Sequence, residues 1–194
     1  MNAQPAIRFV VMIAVFGTLP ILALACNTDI GDGPPATGDG TSAAESVPPS
    51  IAEIGSATIE GIYDAPVLLS GGVFEGEPFV EGSASRPRVE LLDYHASGEL
   101  NDSPGDETAV FLSENSGGSG TFLYLAVMGR SSGEIRNLGT ALIGDRVQVQ
   151  GIRLENGVIV VDVLQPGPDD PMCCPSEQAN RAWRFADGEL VELE

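Results

Sequence analysis

Lysine is absent from the sequence, and histidine occurs once. Nine arginines face 28 acidic residues, for a formal net charge of −19, so nothing in the chain can hold nucleic acid phosphates by charge alone. Nucleic acid binding is excluded as a function. Acid–base and nucleophilic chemistry are equally short of material. His95 is the sole imidazole, and no Gly-x-Ser-x-Gly turn presents a serine. Gly117-Gly118-Ser119-Gly120 lacks the following lysine and the helix that a phosphate-cradling loop requires. The three cysteines, Cys26, Cys173 and Cys174, are a poor match to a tetrahedral zinc site, which wants four ligands, and His95 has no cysteine near it in sequence.

Long apolar runs are confined to the amino-terminal end. Arg8 is followed by an almost unbroken apolar stretch over residues 9–25, which is short for a membrane span. It ends in Leu22-Ala23-Leu24-Ala25-Cys26. That ending resembles the lipobox of bacterial lipoproteins, in which small residues precede a cysteine that becomes the lipid-bearing amino terminus. The reading is a lipoprotein-type signal peptide over residues 1–25 with lipid on Cys26; an uncleaved anchor and ordinary signal cleavage are the alternatives. Each of the three puts the remaining chain outside the cytoplasm.

Residues 27–50 are Gly, Pro, Ser, Thr, Asp and Ala with almost no large apolar side chain. Such a stretch cannot repay the entropy of ordering and reads as a tether. As a Gly-rich coil it would span roughly 25 to 30 Å. From Ile51 onward, short apolar runs alternate with turn signals. The clearest hairpin is over residues 146–164, where Asn156-Gly157 supplies the positive φ angles of a type I′ turn. The apolar register slips at Gly151, which marks a β-bulge. Residues 158–164 are apolar on both faces apart from Asp162, the pattern of a central strand covered on both sides. Further strands are expected over residues 89–94, 108–112 and 121–127, with Gly71-Gly72 and Asp187-Gly188 as additional hairpin turns. Short strands at close, turn-marked spacing give the expected fold class: mainly β, an antiparallel sheet of hairpins in a single compact domain with little helix.

Two stretches carry candidate chemistry. In the acidic segment of residues 98–108, Glu99, Asn101, Ser103 and Glu107 present oxygen-bearing side chains of the kind calcium takes from a looped backbone. Pro104 stands where such loops place their turn glycine, and Ser103 replaces a carboxylate. The segment is therefore either a calcium site or a solvated acidic turn without an ion, and the departures favour the second. In Asp169-Asp170-Pro171-Met172-Cys173-Cys174-Pro175, the adjacent thiols of an oxidising compartment either close on each other, bridge two chains, remain free, or do redox or metal work. Proximity favours a vicinal disulfide, which a Cα separation of about 3.8 Å makes strained and easily reduced.

Residues 107–127, 142–149 and 167–175, the last containing Cys173-Cys174-Pro175, together resemble an uncharacterised bacterial envelope lipoprotein domain that in some relatives precedes a META-type β domain. The resemblance runs from about Ser85 to the carboxyl end. It implies a fuller acidic loop in the family than residues 99–107 offer here, and no activity assignable to any residue; unlike those relatives, this chain is expected to carry no META domain. The chain accordingly reads as a signal peptide (1–25), a lipid-anchored tether (26–50) and a β-rich extracytoplasmic domain (51–194). The expected function is a binding or interaction module held at the cell membrane or outer membrane by its lipid, with a small ligand or an envelope protein as partner. The alternatives are a small enzyme or redox protein using Cys173 and Cys174, and a purely structural envelope component. No residue is assigned to catalysis, and calcium is the one cofactor considered.

Overall fold

Two neighbouring strands that are apolar on both faces decide the layering. The structure is a computed structural model describing residues 47–171 and 173–194; the expected signal peptide, Cys26 and the tether as far as residue 46 lie outside the described residues. Val47 to Ser50, the end of that tether, are held in place: the Val47 carbonyl accepts from Arg130 Nε at 2.9 Å and the Pro49 carbonyl from the Thr108 hydroxyl at 2.8 Å. Ser50 then caps a single helical turn, α1 (Ile51–Ile54), in a capping box with Glu53. No helix among the described residues is long and apolar enough to cross a membrane.

Strands β1 (Thr58–Ile59) and β2 (Val67–Leu68) form a small antiparallel pair. A five-stranded antiparallel meander follows: β3 (Val73–Glu75), β4 (Arg88–Gly98), β5 (Glu107–Asn115), β6 (Phe122–Ser131) and β7 (Glu134–Asp145). A second meander of four strands completes the chain: β8 (Gln148–Glu155), β9 (Val158–Gln165), β10 (Glu177–Ala186) and β11 (Glu189–Leu193). The mainly β, antiparallel expectation holds.

Because side chains alternate along a strand, β5 and β6 feed two cores. Ala109, Phe111, Leu125 and Val127 face the four-stranded sheet and meet Ile159, Val161, Val163, Trp183 and Phe185. Val110, Leu112, Ala126 and Met128 face the other way, onto Ile54, Ile59, Val67 and Leu69 of the amino-terminal layer. The result is three layers, with β5 and β6 covered on both sides. Residues 158–164, expected to be covered in that way, are central in their sheet but layered on one face only. Val160 is buried outside both cores, and Asp162 on that face accepts from Arg153 at 3.1 Å and Asn180 at 2.6 Å.

The turns follow the sequence closely. Asn156 and Gly157 (φ 52° and 75°) join β8 to β9, Asp187 and Gly188 (φ 54° and 81°) join β10 to β11, and the register shifts between Val149 and Gly151. Gly71 and Gly72 close a tight turn between Ser70 and Val73, but the strands it joins pair in different sheets. Two departures concern strand extent. β5 runs on through Ser113-Glu114-Asn115, which reads as connector, because Ser113 and Glu114 still pair with Leu123 and Phe122. β7 carries little apolar periodicity and forms by pairing along the whole of β6.

Candidate functional site

Three turns meet at one end of the sheet pair: the acidic loop between β4 and β5, the Asn156-Gly157 turn and the Asp187-Gly188 turn. Between them lies a cleft of about 590 Å³, walled by Glu99, Asn101 and Asp102 on the loop side, Asn156 and Gly157 on a second, and Arg184 to Asp187 on the third. Each wall is built on backbone that only a few residue types accept: Asp102, Asn156 and Asp187 all stand at positive φ, between 52° and 57°. The cleft is thus shaped by local backbone chemistry before any ligand arrives.

The acidic loop braces itself with its own side-chain oxygens. Glu99 accepts from the Asn101 N–H at 3.0 Å, Asn101 Oδ1 from the Ser103 N–H at 2.7 Å, and buried Glu107 from the Leu100 N–H at 2.9 Å. Of the four residues considered for calcium, Glu99 and Asn101 line the cleft, whereas Ser103 and Glu107 do not. Among the described residues no group of three or more His, Cys, Asp or Glu side chains is placed to hold a metal ion. Burial lifts the Glu107 carboxyl above the usual range, and the charges of Glu99 and Asp106 add to the rise.

Arg184 is the residue that sequence reasoning missed. Among the described residues, Arg86, Arg88, Arg130, Arg136, Arg146, Arg153 and Arg181 are each ion-paired, and Arg184 is the one arginine that is not. Its neighbour on β10 shows the contrast. Arg181 grips Glu192 through two nitrogens, donates to the Ile143 carbonyl at 2.9 Å and lies over the Trp183 ring at 4.9 Å, tying the two sheets together. Arg184 lines the cleft without such a partner, in a chain whose acidic groups outnumber its basic ones threefold. The only sequence signal is its place just before the Asp187-Gly188 turn.

Elsewhere the titratable groups are structural. Tyr63 donates to buried Glu114 at 2.8 Å, Ser116 donates to the same oxygen, and burial together with Glu114 pushes the Tyr63 hydroxyl far above its usual range. His95 is exposed at the irregular stretch of β4, with Nδ1 donating to the Asp93 carbonyl at 3.0 Å. Cys173 and Cys174 lie at disulfide distance from each other, with their Cα atoms 3.7 Å apart, as a vicinal bridge requires. No family model matches the chain, and neither a curated protein nor a solved structure matches it.

Proposed function

We propose that the chain is a lipid-anchored module of the cell envelope that binds a small zwitterionic ligand, such as a short peptide with both ends free, in the cleft around Arg184. One observation carries the binding half of this reading: an arginine without an ion pair among the described residues lines a preformed cleft that also bears Asp187 on its own wall and Glu99 and Asp102 on another. A planar guanidinium takes a carboxylate through two parallel hydrogen bonds, and the surrounding carboxylates suit an ammonium group. A ligand carrying both charges answers both walls, whereas a simple anion meets repulsion and a simple cation leaves Arg184 unused. Among the described residues, no serine, threonine, cysteine, histidine, lysine or tyrosine lines the cleft. The envelope half rests on Leu22-Ala23-Leu24-Ala25-Cys26 and on the vicinal disulfide, which suits an oxidising compartment.

Calorimetric titration with triglycine, set beside its N-acetylated amide, tests the binding reading. Triglycine is expected to bind and the doubly blocked peptide not to. Arg184→Gln should weaken triglycine binding by about tenfold or more, the loss of one charge-assisted contact. Equal binding of free and blocked peptide, or of wild type and Arg184→Gln, would contradict it.

A further inference from the structure

The loop between β9 and β10 takes its shape without help from its cysteines. Asp170 Oδ2 accepts from the backbone N–H groups of Gly167 and Ser176, both at 2.7 Å, and Oδ1 accepts from the Ser176 hydroxyl at 2.6 Å. The Cys174 N–H donates to the Pro171 carbonyl at 3.0 Å. A bridge between adjacent residues closes no intervening chain, so it adds almost nothing through unfolded-state entropy. Its Cα separation of 3.7 Å lies below the range that disulfides prefer, which makes it easier to reduce. Both cysteines are exposed. A covalent bond that contributes little to the fold, is held on a loop fixed by other means and stands open to solvent is suited to chemistry.

The surroundings specify which chemistry. Cys173 lines a cleft of about 380 Å³ together with Ser119, Thr121, Arg146, Gln148 and Pro175, and among the described residues Arg146 is the one charged residue on its walls. Cys174 does not line it. Arg146 is paired with Asp145 and donates to the Ser119 carbonyl at 3.2 Å, so a thiolate entering this cleft reaches Cys173 beside an anchored guanidinium.

We propose that Cys173–Cys174 is a thiol–disulfide exchange site that oxidises small carboxylate-bearing thiols admitted through the Arg146 cleft. The entering thiolate bonds to Cys173 Sγ, the Cys173–Cys174 bond breaks, and Cys174 leaves as a thiolate that takes up a proton. A second thiolate attacks the external sulfur of the mixed disulfide and expels the Cys173 thiolate, which is protonated in turn. Two external thiols end as one disulfide, two electrons pass to the protein, and the site is left as a pair of thiols. The site is separate from the Arg184 cleft and stands or falls independently of it.

The test uses the full chain in detergent micelles, treated with mercaptoacetate or cysteamine, quenched in acid, alkylated and digested with trypsin. The fragment of residues 154–181 holds both cysteines and no other, so Cys26 does not enter the readout. Before treatment both thiols should resist alkylation, and after it both should be labelled while the melting temperature stays unchanged. The ratio of the mercaptoacetate rate to the cysteamine rate should fall at least about threefold in Arg146→Gln, since local charge steers a charged reactant. Using the ratio cancels any general loosening of the loop, because Arg146 also binds Asp145 and the Ser119 carbonyl. Thiols that label in the untreated protein, a bridge that opens only on unfolding, or an unchanged ratio would each overturn the proposal.

Discussion

Two glutamates give the fold opposite responses to pH. Glu53 accepts from the Ser50 hydroxyl and backbone N–H and from Arg130, and these bonds hold its carboxyl down to about 2 from the ordinary 4.5. A depressed carboxyl stabilises the native state above the unfolded value, and that contribution is lost as pH falls from about 4.5 towards 2. Glu107 behaves inversely: burial raises its carboxyl, so ionisation weakens the fold as pH rises through the folded value. Melting temperatures across that range should show Glu53→Gln with a shallower acid-side slope than the wild type, Asp170 and Glu192, which are also held low, keeping the rest. Glu107→Gln should melt above the wild type at pH 7, with the difference closing as pH falls to about 4.5, and a melting temperature below the wild type at neutral pH would contradict the assignment. At this scale the sequence is legible where chemistry is local. Asn156-Gly157 and Asp187-Gly188 dictate their turns because few other pairs take positive φ twice. Arg184 was not legible: its distinction is that the other arginines among the described residues found ion-pair partners, some near them in sequence, as Glu134 is for Arg136 and Asp145 for Arg146, and others only through the fold, as Glu53 is for Arg130.

At the level of strands, periodicity worked where a strand owns its apolar residues and failed where it borrows order from a neighbour. β6 was legible from Phe122-Leu123 and Leu125-Ala126-Val127 alone. β7, interrupted by Asn137, Gly139 and Gly144, is a strand because β6 pairs with it and because small residues let the layers close. Gly139 shows the second reason. A Cβ there would lie 2.9 Å from the Phe185 ring and 3.0 Å from the Gly188 carbonyl oxygen, so β7 passes the β10–β11 turn at a distance only glycine permits. Gly139→Ala should lower the denaturant midpoint by an amount equivalent to about 1–3 kcal/mol, the usual cost of overpacking. An unchanged midpoint would mean that β7 and the turn can separate without loss. Double cover falls on β5 and β6 instead of the expected β9, because Val158, Val160 and Leu164 supply the apolar pattern without a third layer to meet it.

For the molecule as a whole, the proposal joins a membrane tether to a recognition cleft, and each half has its own test. Cys26→Ser should leave an unprocessed precursor that no longer partitions with lipid on detergent phase separation; processing and partition unchanged from wild type would remove the anchor. The cleft is the central claim, and a ¹⁵N-resolved NMR titration of the folded domain with triglycine tests it most directly. The account predicts shift changes confined to Glu99–Asp102, Asn156–Gly157 and Arg184–Asp187, saturating with triglycine, absent with its N-acetylated amide and lost in Arg184→Gln. Shifts centred on another surface, or the same shifts with the blocked peptide, would contradict it.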